Sequence, residues 1–151
     1  MGFSMSNATF IATLTPSTYL ISQFDASVPA GFPSPALDHM EQKLSLDTLL
    51  DVHAPHTYLV RVSGNSMTGV GIHDGDVLVV SRALNAGHGD IVVAAVNGEV
   101  FVKRLHRQRH QIILLSENPD YAPRYILEGD ELLIWGVVRN SIRWYSTSDK
   151  A

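Results

Sequence analysis

From His56 onward, short β-branched and aromatic runs recur at close intervals, at 58–62, 77–80, 91–96, 100–105, 112–115 and 132–138. Runs this short, bounded by turn residues, predict strands and a mostly β body. Asn97-Gly98 lies between two of them and predicts a hairpin, because a type I′ turn needs two residues that tolerate positive φ. Asp74-Gly75-Asp76 and His88-Gly89-Asp90 punctuate neighbouring strands. Upstream the pattern differs. Residues 1 to about 30 are rich in Ser, Thr, Ala and Asn, carry only the charge of Asp25 and show no sustained apolar period, which predicts an extended, partly mobile arm. Three prolines within 28–35 then favour an exposed extended segment. Between Leu37 and Val52 the apolar residues fall partly on a helical period, and Ser45 is placed to cap a turn over 46–50, so one or two short helical turns are expected at 38–52.

Composition bounds the possibilities. With 151 residues, 45% of them hydrophobic, the chain can bury one core, which fits a single β-rich domain with an appendage. A formal net charge of −4 provides no general pull toward phosphate backbones, so direct DNA binding is disfavoured. The absence of cysteine removes disulfides, thiolate–zinc sites and cysteine nucleophiles. No apolar run is long enough for a membrane span, and the first Lys or Arg is Lys43, so the expectation is a soluble, cytoplasmic protein without membrane attachment.

Two residues suggest chemistry without proving it. Ser66, in Ser63-Gly64-Asn65-Ser66-Met67, follows a strand-like run on a tight turn, where an ordinary polar turn is by itself the better description. The esterase elbow fails, since Thr68 stands where its last glycine belongs. A serine hydroxyl needs a base, either histidine or neutral lysine. Strand alternation puts Lys103 on the face of Phe101 and Leu105, with Arg104 opposite. An apolar face would disfavour the ammonium form, although a snorkelling lysine fits the same pattern. The seven histidines include the pairs His53/His56 and His106/His110, but the polar neighbours of the second pair suggest a solvated loop, and no metal or cofactor is expected. Arg104, Arg107 and Arg109 lack interleaved aromatics and read as a solvated hairpin end.

Taken in order, Ser63-Gly64-Asn65-Ser66-Met67, Gly71-Ile72-His73-Asp74-Gly75-Asp76, His88-Gly89-Asp90-Ile91-Val92 and Val102-Lys103-Arg104-Leu105 resemble the successive motifs of the LexA/UmuD self-cleaving protease family. The likeness runs from about Val28 to Trp144, including Trp135-Gly136-Val137-Val138, and looks like the UmuD/MucA/RulA branch. It implies a fold of several coiled antiparallel sheets, with Ser66 as nucleophile, Lys103 as general base and the amides of Asn65 and Ser66 as the oxyanion hole. It also implies a cut between Ala30 and Gly31, with Val28 in an apolar subsite; Pro29 departs from some members and removes a backbone donor. Residues 1–30 would then be an arm removed by self-cleavage, and 31–151 the protease domain. Further implications are a homodimer, cleavage stimulated by RecA filaments on single-stranded DNA, and a shortened form that joins a UmuC-like Y-family polymerase in SOS translesion synthesis. The readings set against this are a non-catalytic binding module and a LexA-like transcriptional regulator. The arm carries no basic charge and no recognition-helix pattern, which disfavours the second.

Overall fold

A computed structural model describes residues 6–14, 20–24, 41–52 and 55–146. Its main feature is an antiparallel sheet of eight strands in the spatial order β1-β4-β5-β10-β6-β7-β8-β9. The strands are β1 (Ala8–Thr13), β4 (Thr57–Val62), β5 (Val77–Ser81), β6 (Ile91–Val96), β7 (Glu99–Gln108), β8 (Gln111–Leu115), β9 (Arg124–Tyr125) and β10 (Leu132–Ile142). A second sheet pairs β2 (Leu20–Phe24) with β3 (Glu41–Ser45), and a four-residue helix, α1 (Leu46–Leu49), follows β3. All six strands expected from β-branched runs are present. The Asn97-Gly98 hairpin joins β6 to β7 with φ of 51° and 85°, the positive values that a type I′ turn requires.

Alternation along the central strands explains how one sheet buries both faces. In β6, Val93 joins Val60, Leu78, Val80 and Val102 in one apolar cluster, whereas Val92, Ala94 and Val96 join Phe101, Leu105 and Leu114 in the other. Successive residues serve opposite cores, so β6 reads as a continuous apolar run. The face of β7 that carries Lys103 therefore belongs with Phe101 and Leu105, as alternation predicts.

Some expectations change. Ser45 does cap α1, accepting a hydrogen bond from the Thr48 amide at 3.1 Å, but residues 41–45 form a strand and not a helical turn. The arm, expected only as an extended segment, contributes two paired strands: β1 pairs with β4 inside the main sheet, and β2 lies in the small one. Arg104 does not belong to a solvated cluster; it is half-buried, paired with Glu117 and bonded to the Gly89 carbonyl, while Arg107 and Arg109 are exposed.

Candidate active site

Ser66 lies in the tight turn after β4. Gly64 adopts φ of 81°, and its amide is held by the Asp74 carboxylate at 2.8 Å. That left-handed conformation is why glycine stands there. After Ser66 and Met67 the chain makes a 3-10 turn, Thr68–Val70. Ser66 is only 4% exposed. Its hydroxyl oxygen accepts a hydrogen bond from the Asn7 side-chain amide at 3.0 Å.

Lys103 comes from the middle of β7 and lines the same cavity as Ser66, a cleft of about 570 Å³ whose wall also includes Phe101, Leu114 and Tyr121. Burial among these groups pushes the lysine pKa down. Its ammonium donates to the Ser116 hydroxyl at 2.7 Å and sits 5.6 Å from the Tyr121 ring centroid. The two side chains singled out in the sequence, Ser66 and Lys103, thus line one cavity. Each holds a different partner in this conformation.

Asn65 lies on the rim of that cavity, and among the described residues the amides of Asn65 and Ser66 have no hydrogen-bond acceptor. Two donors without an acceptor among the described residues, beside a buried hydroxyl, suit a developing oxyanion. The turn carrying them is strapped from behind by the segment after β8. The Glu117 amide donates to the Ser66 carbonyl at 2.9 Å, the Glu117 carbonyl accepts from Gly69 at 2.7 Å, and the Asn118 side chain donates to the Asn65 carbonyl at 2.8 Å. Together with Ser116 on Lys103 and Glu117 on Arg104, residues 116–118 tie both halves of the site together.

Asn7, Ser116, Glu117 and Asn118 escaped the sequence reading, though the polar run directly after the apolar 112–115 was a usable signal for the last three. Val28, Ala30 and Gly31 lie outside the described residues. His88 accepts from the Arg107 amide at 3.0 Å, and no group of three or more potential metal ligands occurs among the described residues. His53 lies outside them. No described helix is long and apolar enough to cross a membrane.

Comparison with known proteins agrees with this geometry. The family model described as "Peptidase S24-like" matches residues 20–139. Protein MucA of Salmonella typhimurium is 47% identical over 116 residues, covering 76% of this chain and 79% of that protein. Protein SamA of the same species is 41% identical over 126 residues, 83% of this chain and 87% of that protein. The LexA repressor of Bordetella pertussis is 45% identical over 116 residues, 77% of this chain but 53% of the repressor. On both the family match and the extent of these identities, the chain belongs to the peptidase S24-like family, in its UmuD/MucA-like branch, and is a serine-type autoprotease.

Proposed function

We propose that Ser66 is the nucleophile and Lys103 the general base of a self-cleavage reaction at the Ala30–Gly31 bond. The observation that carries the reading is the meeting of a buried serine with a lysine of lowered pKa in one cavity. Neutral Lys103 takes the Ser66 proton as the oxygen attacks the Ala30 carbonyl, and the amides of Asn65 and Ser66 receive the oxyanion. Collapse of the tetrahedral intermediate breaks the C–N bond, the new Gly31 amine takes the proton back from Lys103, and water then hydrolyses the Ala30 ester on Ser66. Burial of Lys103 serves this directly, because an exposed lysine near neutral pH is almost entirely protonated and cannot accept. Val28, two residues before Ala30, would fill an apolar subsite.

In biological terms, the cut removes residues 1–30 and leaves 31–151 as a shortened cytoplasmic subunit. The protein acts as a homodimer in the SOS response, is stimulated by RecA filaments on single-stranded DNA, and joins a UmuC-like Y-family polymerase after cleavage. Such a cut changes partner choice by removing a segment and needs no new fold. Incubation of the full chain at alkaline pH should produce slowly, and with added RecA filaments rapidly, a fragment beginning at Gly31, absent from Ser66→Ala and Lys103→Ala. Mass spectrometry that finds only intact chain, or a different new N-terminus, overturns the reading.

A further inference from the structure

Asn7 is bonded across the cleft on both sides. Its backbone amide donates to the Val100 carbonyl at 3.2 Å, and its carbonyl accepts from the Ser63 amide at 3.1 Å. Its side chain accepts from the Val102 amide at 2.7 Å and donates to the Val102 carbonyl at 3.3 Å as well as to Ser66. Ser6 adds a hydroxyl bond to the Val100 carbonyl, and Ala8 begins the pairing of β1 with β4 opposite Val62. Residues 6–8, which lead into β1, thus lie between the end of β4, which leads to Ser66, and the segment of β7 that leads to Lys103.

An extended peptide delivered to Ser66 would draw its affinity from the main-chain groups of the strands flanking the nucleophile. Those of Ser63, Val100 and Val102 are the ones Asn7 holds. Its side-chain amide even copies a peptide group, giving an acceptor to the Val102 N–H and a donor to the Val102 C=O. The remaining N–H lies on the Ser66 hydroxyl, and Asn7 itself is only 8% exposed.

We propose that the cleft between the end of β4 and β7 is an acceptor site for an extended peptide backbone, and that residues 6–8 of this chain occupy it as a built-in competitor of the segment to be cut. The identity of that segment, 28–31, rests on the reading under Proposed function. The competitor itself is defined by residues 6–8 alone. Cleavage then requires the first strand of the arm to leave the cleft before the scissile segment, from the same chain or a second copy, can enter. Whatever draws β1 off β4 acts as an activator without touching Ser66 or Lys103.

The test uses the full chain and two readouts, covalent labelling of Ser66 by a fluorophosphonate and the rate of self-cleavage at fixed alkaline pH. In Asn7→Ala both should rise, by about tenfold. Because the natural chain has no cysteine, Thr9→Cys with Arg61→Cys, on paired positions of β1 and β4, gives a reversible lock. Oxidation should suppress both rates at least tenfold and a reducing agent should restore them, which also demonstrates that the variant folds. Labelling that is unchanged or slower in Asn7→Ala, or undiminished in the oxidised pair, overturns the proposal. The two readings separate cleanly. Faster labelling with no cut at Ala30–Gly31 keeps the competitor and discards that bond, whereas cutting there with equal rates in all variants keeps the bond and discards the competitor.

Discussion

Lys103 was legible as an odd residue, a cation on the face of Phe101 and Leu105, but its partners were not. Ser116 is 13 positions away in sequence, and Asn7 reaches Ser66 across 59. Contacts of that separation leave no local pattern. The depressed pKa gives two expectations of definite sign. Below the lysine's folded pKa its neutral fraction grows about tenfold per pH unit, so the self-cleavage rate should climb with that slope and level off below the pH of about 10.4 at which a free lysine titrates. A rate profile still rising linearly past that pH would show that Lys103 is not the base. Stability follows the same proton. Between the folded pKa and the ordinary one, the unfolded chain binds more protons than the folded chain, so stability rises with pH through that window. Urea midpoints measured on Ser66→Ala should show this rise, and the added change Lys103→Met should abolish it, since methionine keeps most of the stem and no ammonium must be desolvated.

Among the elements, the strands that declared themselves were those whose residues pack on one or both sides, as in β5, where every residue is buried. β1 did not, for a physical reason: a register shift between Phe10 and Ala12 breaks its alternation, and Phe10 and Ile11 are both exposed. Pairing with β4, not patterning, makes it a strand. The strap at 116–118 showed in the sequence only as a polar run, because its partners Asn65, Ser66, Gly69, Lys103 and Arg104 are distant along the chain. Two glycines test how tightly these elements are fitted. A Cβ on Gly69 would lie 2.5 Å from the Glu117 carbonyl oxygen, which is also the acceptor of the Gly69 amide. Gly69→Ala should therefore cost about 2 kcal/mol and slow Ser66 labelling at least tenfold. On Gly136 the added carbon would meet Val80 at 2.7 Å and the Ser81 carbonyl oxygen at 2.8 Å, between two central strands. Gly136→Ala should lower the melting temperature more than Gly69→Ala does. Gly87→Ala is the control: its nearest neighbour would be an Asp90 carboxylate oxygen at an ordinary 3.8 Å, and thermal unfolding should be nearly unchanged.

At the scale of the whole molecule, the motif around Asp74-Gly75-Asp76 was noticed as punctuation, yet one of its residues fastens the sheet to the site. Asp76, only 2% exposed, accepts from Arg143 through both carboxylate oxygens, at 2.9 and 2.7 Å, and from the His73 amide at 2.8 Å. Arg143 directly follows β10 and also donates to the Gly71 carbonyl at 2.6 Å, so a single fork binds the end of β10 to the turn that separates Ser66 from β5. The Arg143 hydrogen bonds are the main reason that the Asp76 pKa is lowered, with burial opposing them. A carboxylate stabilised in the fold contributes fully above its unfolded pKa of about 3.9 and loses that contribution as pH falls through the folded value. Acid should therefore loosen this corner of the molecule. Asp76→Asn removes the charge but keeps the shape, and should cost about 2 kcal/mol at neutral pH, the usual worth of hydrogen bonds to a charged group. Titrated downward from pH 5, the wild-type chain should lose its advantage over the variant, so that their urea midpoints converge. Midpoints that stay equally far apart at the acid end would mean that Asp76 acts by its shape and its bond to His73, and that the charged fork with Arg143 adds nothing to the hold of the sheet on the Ser66 turn.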